Sequence, residues 1–412
     1  MFFLYQFILS VIFLISPLII IFRIYKNKED KIRFKEKFGT PSKKRTKGKL
    51  VWFHGASVGE IMSIIPIIEN YEKDKSVNQI LVTSSTLSSS KVLKKFRFKK
   101  TIHQFYPVDH FFCVTKFLNH WQPNLAIFIE SEIWPCMFKK LKEKKIALVL
   151  LNARITKKTF LRWSRLKIFS KEVFNNIKIS YPQNLETKFF LKKLNAQQIK
   201  TIGNIKFAEY DNEKNNNLNR LFYGKKIWVA SSTHFNEEIF CAKTHIELKK
   251  KFKNLLTIII PRHVHRVKEI KSELENLNLN VTKHSFNKKK LGNMDIYLVD
   301  TFGETKKFHQ IGCSVFVGGS IISRGGHNPL EAARYGARIL HGPNIDNFRD
   351  VYQTLSKLKV SKKIISSKEL ASAIIFKRNK NLGDKIKNIG IKILKETIND
   401  LDKLIKDEFK KT

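Results

Sequence analysis

The chain has 412 residues, 42% of them apolar and 12% aromatic, with 78 Lys and Arg against 35 Asp and Glu and a formal charge of +43. The apolar content excludes a wholly disordered chain, and the length exceeds one ordinary core, so two domains of roughly 150–200 residues each are expected. A charge of this size attracts any polyanion, nucleic acid and anionic lipid alike, but lysines spread along the whole chain equally fit a proteome rich in Lys, Asn, Ile and Phe, so charge alone assigns no partner.

The first element is FFLYQFILSVIFLISPLIIIF, residues 2–22, uncharged throughout and about long enough to cross a bilayer as a helix. Basic residues follow it (Arg23, Lys26, Lys28, Lys31, Arg33) instead of preceding it. It therefore reads as a membrane anchor over 1–25 and not as a cleaved leader, with the body on the cytoplasmic side. A helix lying in the interface is the alternative. From Leu50, short β-rich apolar runs alternate with helical patterns: LVWFH (50–54), QILVTS (79–84), NLAIFI (124–129), IALVLL (146–151) and IKISY (177–181). After EYDNEKNNNLNR (209–220) the rhythm restarts with IWVAS (227–231), LLTIII (255–260), DIYLV (295–299), SVFVG (314–318) and ARILH (337–341). Such alternation predicts two doubly wound parallel-sheet domains, over 30–208 and 222–381, facing each other across a cleft. The asparagine-rich stretch 209–221 reads as the linker. A lysine-rich helix is expected over 382–412.

In doubly wound sheets ligands sit outside the carboxyl ends of the strands, so the residues just after each strand are the informative ones. In FHGASVGEIMSIIPII (53–68) a strand ends at His54 and a helix opens near Gly59, which puts Glu60 in its first turn. Glu60 there either helps the helix start or serves as a general base. FIESEIWP (128–135) places Glu130 and Glu132 after the next strand, on one side of the chain if the strand continues, with Pro135 opening a helix. NARITKK (152–158) and GNIKF (203–207) put Arg154 and Lys206 at strand ends.

In the second half, ASSTHFNEE (230–238) leads into a helix whose N–H groups suit an anion. IIIPRHVHR (258–266) ends a strand at Pro261 and Arg262, a guanidinium suited to phosphate. VDTFGET (299–305) adds Asp300, Gly303 and Glu304. GGHNPLEAARYG (325–336) has the form of a capping box, with Asn328 as N-cap, Pro329 in the first turn and Glu331 three residues on. Gly318, Gly319, Gly325 and Gly326 cluster around Arg324 ahead of it, which predicts close backbone approach and N–H donors for a phosphate, with Glu331 accepting from ribose hydroxyls.

Cys113, Cys136, Cys241 and Cys313 form no CxxC pair and no HExxH occurs, so reduced thiols and no metal site are expected.

The ordered set HGASVGE, ESEIWP, NARIT, GNIKF, SSTH, PRH, DTFGE, GGSIISRGGHNPLEAA and GPNIDNFRD, behind an N-terminal anchor, resembles the 3-deoxy-D-manno-octulosonic acid (Kdo) transferases of lipopolysaccharide core biosynthesis. Departures are small: Cys136 stands for a common asparagine, Thr305 for a leucine, and Gly55 and Ala56 precede Ser57. The resemblance implies the GT-B fold and inverting transfer of Kdo from CMP-Kdo to a lipid A precursor such as lipid IVA. It implies Glu60 as base and Glu130 and Lys206 as transition-state-stabilising residues. It further implies a CMP site lined by Pro261, Arg262, Phe302, Gly303, Glu304, Asn328, Pro329, Leu330 and Glu331. It implies no cofactor, an anionic membrane surface and no nucleic acid as partner, and a place at the bacterial inner membrane. A GT-B enzyme using a UDP-sugar, or a membrane-tethered polyanion-binding protein, are the alternatives.

Overall fold

A computed structural model describes residues 1–208, 217–285 and 294–411. The chain divides into two compact units, Met1–Tyr210 with Gly390–Thr412, and Asp211–Ile389.

The first unit is built on seven parallel strands: β1 (Leu50–His54), β2 (Gln79–Ser84), β3 (Thr101–Phe105), β4 (Leu125–Ile129), β5 (Ala147–Ala153), β6 (Ile179–Pro182) and β7 (Gln198–Ile199). Their order is β3-β2-β1-β4-β5-β6-β7. Central strands such as LVWFH are buried along their whole length, as expected for a sheet covered by helices on both faces. Trp52, Phe117, Trp121, Phe128 and Phe138 fill one core layer.

The N-terminal helix, Phe2–Tyr25, runs through Pro17. It lies against this unit along one face: Phe2 and Tyr5 pack on Phe169, Phe13 stacks on the His110 ring at 4.5 Å, and the Tyr5 hydroxyl donates to Asp109 at 2.7 Å. The opposite face, including Phe3, Phe7, Leu14 and Leu18, is exposed. The helix is long and apolar enough to cross a membrane. At the other end of the chain, helix Lys380–Lys410 passes so close to Phe207 at Gly390 that a Cβ there would meet the Phe207 carbonyl oxygen at 1.9 Å. Beyond Gly390 it is tied to the first unit by Tyr71 to Asp402 (3.0 Å), Lys200 to Asp400 (2.6 Å) and Lys178 to Glu408 (2.5 Å).

The second unit repeats the design with β8 (Lys226–Thr233), β9 (Leu255–Pro261), β10 (Val281–Lys283), β11 (Ile296–Leu298), β12 (Ser314–Val317), β13 (Arg338–His341) and β14 (Ser361–Lys363), all parallel, in the order β10-β11-β9-β8-β12-β13-β14. Trp228, Ile259, Leu298, Phe316 and Leu340 form its core. Both units are therefore doubly wound, the architecture of GT-B proteins.

Every apolar run read as a strand is one. The strands without such a run, β3, β7, β10 and β14, are the four sheet edges. An edge strand needs less apolar cover and takes polar residues to discourage further pairing, as Val281-Thr282-Lys283 and Ser361-Lys362-Lys363 do. Of the stretch read as a linker, residues 209–216 lie outside the described residues. Within that stretch Asn217–Leu221 forms a short helix with Leu218 buried.

Candidate functional site

Each sheet has one point where the winding reverses: between β1 and β4 in the first unit, and between β8 and β12 in the second. The loops that leave these strand pairs part in opposite directions and open a crevice at their carboxyl ends. Glu60, Glu130 and the glycine loop leave strands that flank these two points, whereas Arg262 follows β9 and Phe302, Gly303 and Glu304 follow β11.

In the first unit, β1 ends at His54 and helix Val58–Lys73 begins after Ser57. Ser57 and Glu60 form a reciprocal capping box, so the helix-starting role of Glu60 is real. Its carboxylate does more than close the box: Oε2 also accepts from the Ala56 amide at 2.6 Å. Burial, and then the negative charges of Glu132 and Glu130, push its pKa up to about 7. A carboxyl so placed changes protonation near neutral pH, where a general base is most effective.

The strand does not continue past β4. Glu130 takes a left-handed backbone (φ 56°), and this turn sends the two acids to different partners, not to one shared side. Glu130, 5% exposed, forms an ion pair with Lys206 at 2.6 Å. Glu132 accepts from Trp134 Nε1 at 2.9 Å and meets His54 Nε2 at 3.0 Å. These hydrogen bonds keep its pKa below the ordinary value against the pull of burial. His54 is wholly buried, and its Nδ1 lies 2.9 Å from the Thr83 hydroxyl. Glu60, Glu130, Glu132, Lys206 and His54 thus form one polar cluster at the β1–β4 switch point. His54 was not singled out from the sequence: a histidine closing an apolar strand looks like core. Arg154 follows β5, and its amide donates to the Glu130 carbonyl at 3.2 Å, shaping the same turn.

In the second unit β9 ends at Pro261, which is buried, and Arg262 follows with an exposed side chain. After β11, Phe302 and Gly303 are exposed, Gly303 with φ 85°, and Glu304 pairs with Lys307 at 2.8 Å. After β12 come the glycine-rich loop and helix Leu330–Ala333.

Two expectations for this region are corrected. The helix after NPLE is one turn long, begins at Leu330, and has Pro329 and not Asn328 at its cap position. Asn328 Oδ1 accepts from the Leu330 amide at 3.0 Å, and Gly336 (φ 75°) turns the chain toward β13. A single turn carries little aligned dipole, so it is a weak anion site.

The second correction concerns the glycine loop. The N–H groups of Gly319, Ser320 and Ile321 do not face an open phosphate site. The buried Glu237 carboxylate takes them, accepting from Gly319 (2.7 Å), Ser320 (3.1 Å) and Ile321 (3.0 Å), and from the His234 amide (3.0 Å). Glu237 is the first residue of helix Glu237–Lys249, and within ASSTHFNEE its carboxylate takes the His234 amide. Burial raises the pKa of Glu237 in spite of these four bonds. A first-turn acid reads from sequence as helix stabilisation, which is why this role was not visible there.

Glu331 lies 3.6 Å from Nδ1 of the buried His309, whose Nε2 meets the Ser231 hydroxyl at 3.0 Å. Arg262 and Arg324 supply positive charge around the rings of His234, His263 and His327, and burial together with this charge lowers the pKa of His234 and His327 to about 4. Among the described residues no group of three or more His, Cys, Asp or Glu could hold a metal ion.

A family model described as 3-Deoxy-D-manno-octulosonic-acid transferase (kdotransferase) matches residues 32–209. The chain is 35% identical over 367 residues to the 3-deoxy-D-manno-octulosonic acid transferase of Rickettsia prowazekii, covering 87% of this chain and 78% of that one. It is 33% identical over 389 residues to that of Rickettsia bellii, covering 93% of each. Among solved structures, the UDP-GlcNAc 2-epimerase of Neisseria meningitidis, bound to UDP-GlcNAc, superimposes with a TM-score of 0.57 at 11% identity, over 88% of this chain and 100% of that one. That likeness is one of fold. Taken with the two switch-point clusters, the relatives make this chain a member of the Kdo transferase family, a glycosyltransferase of GT-B architecture.

Proposed function

We propose that the chain transfers Kdo from CMP-Kdo to a lipid A precursor such as lipid IVA, with inversion at the anomeric carbon, as a step of lipopolysaccharide inner-core synthesis. The acceptor hydroxyl oxygen forms a bond to the anomeric carbon as the bond from that carbon to the CMP phosphate oxygen breaks. CMP leaves with the electron pair, and Glu60 takes the hydroxyl proton. The observation that carries this reading is the Glu60 carboxyl, held at a helix N-terminus with a pKa near 7.

Glu130 and Lys206 act on the charge that develops in the transition state. Their ion pair at 2.6 Å fixes both groups in advance, so little reorganisation is needed during reaction. Arg262 supplies positive charge to the departing phosphate. Pro261, Phe302, Gly303, Glu304, Asn328, Pro329, Leu330 and Glu331 line the CMP, with Phe302 offering an exposed ring to the base and Glu331 a carboxylate to ribose hydroxyls. The reading includes no metal and no cofactor.

The N-terminal helix holds the enzyme at the cytoplasmic side of the bacterial inner membrane. Its exposed apolar face and the basic residues after it support this placement. Incubating the purified chain with CMP-Kdo and lipid IVA, and weighing the lipid product, tests the reading. Addition of Kdo mass supports it, and an unmodified lipid with intact donor counts against it. Competition by CMP but not UDP separates it from a UDP-sugar enzyme.

A further inference from the structure

The rings of His234 and His327 lie edge to edge in one plane, 4° apart, with their Nε2 atoms 2.9 Å from each other. Two imidazole nitrogens can approach this closely only when one carries a proton and the other a lone pair. The bond therefore fixes one ring as the Nε2–H form and the other as the Nδ1–H form. Both are neutral: burial and positive neighbours hold each pKa down, to about 4.

The pair sits at the winding reversal of the second unit, one ring on the loop after β8 and the other on the loop after β12. The packing is specific. Gly319 (φ 66°) leaves the space for the His327 ring, since a Cβ there would lie 3.1 Å from Cδ2 and 3.2 Å from Nε2. The Tyr352 hydroxyl holds the His327 carbonyl at 3.1 Å, and the His234 amide is tied to Glu237. The charged and titratable groups that act on the two rings are Arg262, His263, Arg266 and Arg324. All are basic. The Glu237 carboxylate bonded to these loops is turned inward onto backbone amides.

A site that uses its acid internally and lines its surface with arginine and neutral imidazole is short of negative charge, and an anion from outside supplies it. We propose that the His234–His327 pair, with Arg262 and Arg324, is the side-chain cradle for an anionic group of the sugar nucleotide, either its phosphate or its sugar carboxylate, in place of the amides of Gly319, Ser320 and Ile321. The inference rests on the reading of this unit as the nucleotide-sugar unit. It adds two binding residues and removes those three amides from that role. The bound anion receives an imidazole N–H, and its charge relieves the repulsion among the basic groups.

The test uses the full chain and the variants His234→Asn and His327→Asn, with CMP binding measured by titration calorimetry and the donor KM by transfer kinetics. If the pair takes the phosphate, each variant binds CMP at least roughly tenfold more weakly, as for loss of a hydrogen bond to a charged group. If it takes the carboxylate, CMP binding is unchanged and the donor KM rises by a similar factor. Variants that melt like the wild type and keep both quantities within about twofold, while Arg262→Ala weakens CMP binding, overturn the proposal. Should His327→Asn fail to fold, His234→Asn, altered at a half-exposed ring, decides alone. A wild-type chain that binds UMP and not CMP refutes the donor reading, and the same variants titrated with UMP still test the pair.

Discussion

Glu132 and His54 meet at 3.0 Å at the β1–β4 switch point, a buried imidazole holding a carboxylate in its charged form beside Glu60. The charge so fixed is one cause of the raised Glu60 pKa. Glu132→Gln keeps the size of the side chain and removes the charge. The acid limb of the pH–rate profile, expected near the Glu60 value of about 7 in the wild type, moves to lower pH in the variant. Transfer rates across pH, at saturating donor and acceptor, measure the shift.

The raised pKa also has a stability consequence. A carboxyl whose folded pKa lies above its unfolded value favours folding in its protonated form. Its stabilising effect is complete below the ordinary carboxyl value of 4.5 and is lost as pH rises through about 7. Glu60→Gln removes that dependence. The difference in melting temperature between variant and wild type should therefore rise in favour of the variant between these two pH values, measured by circular dichroism.

Lys206 is the ion-pair partner of the nearly buried Glu130. Lys206→Met leaves a buried carboxylate without its counter-charge, which costs about 3–5 kcal/mol. Denaturant melts should show the loss. Lys206→Met combined with Glu130→Gln should recover much of it without recovering transfer.

Glu237→Ala leaves the amides of Gly319, Ser320 and Ile321 without their acceptor. Each buried unsatisfied donor costs about 1–3 kcal/mol, so a loss of several kcal/mol is expected together with weaker CMP binding. Gly318→Ala attacks the same contact from the other side, since its Cβ would lie 2.4 Å from the Ser232 carbonyl oxygen and 2.8 Å from Glu237 Oε2.

What the sequence made legible follows from periodicity. Buried strands such as LVWFH and LLTIII announce themselves as continuous apolar runs, and the strand-end rule then points to Glu60, Glu130, Arg262 and the glycine loop. Pairings between distant segments were not legible. No local pattern links Glu130 to Lys206, Glu132 to His54, or His234 to His327, because each pair meets only once the sheet has brought separate strand ends together. The glycine loop shows the limit most clearly. Glycines and a following helix start suggest an external anion, and nothing in the local sequence reveals that Glu237, from the turn after the distant strand β8, already occupies the amides of Gly319, Ser320 and Ile321. The left-handed backbone of Glu130 is of the same kind, since a non-glycine φ of 56° is imposed by the surrounding fold and not by the residue.

The proposed transfer turns on Glu60 removing the acceptor proton. Single-turnover transfer by Glu60→Gln, with CMP binding measured on the same preparation, tests it most directly. Unchanged CMP affinity is expected, with a transfer rate reduced by about 100-fold or more, the usual contribution of general-base catalysis. Transfer within a few-fold of wild type in a variant that binds CMP normally would contradict it.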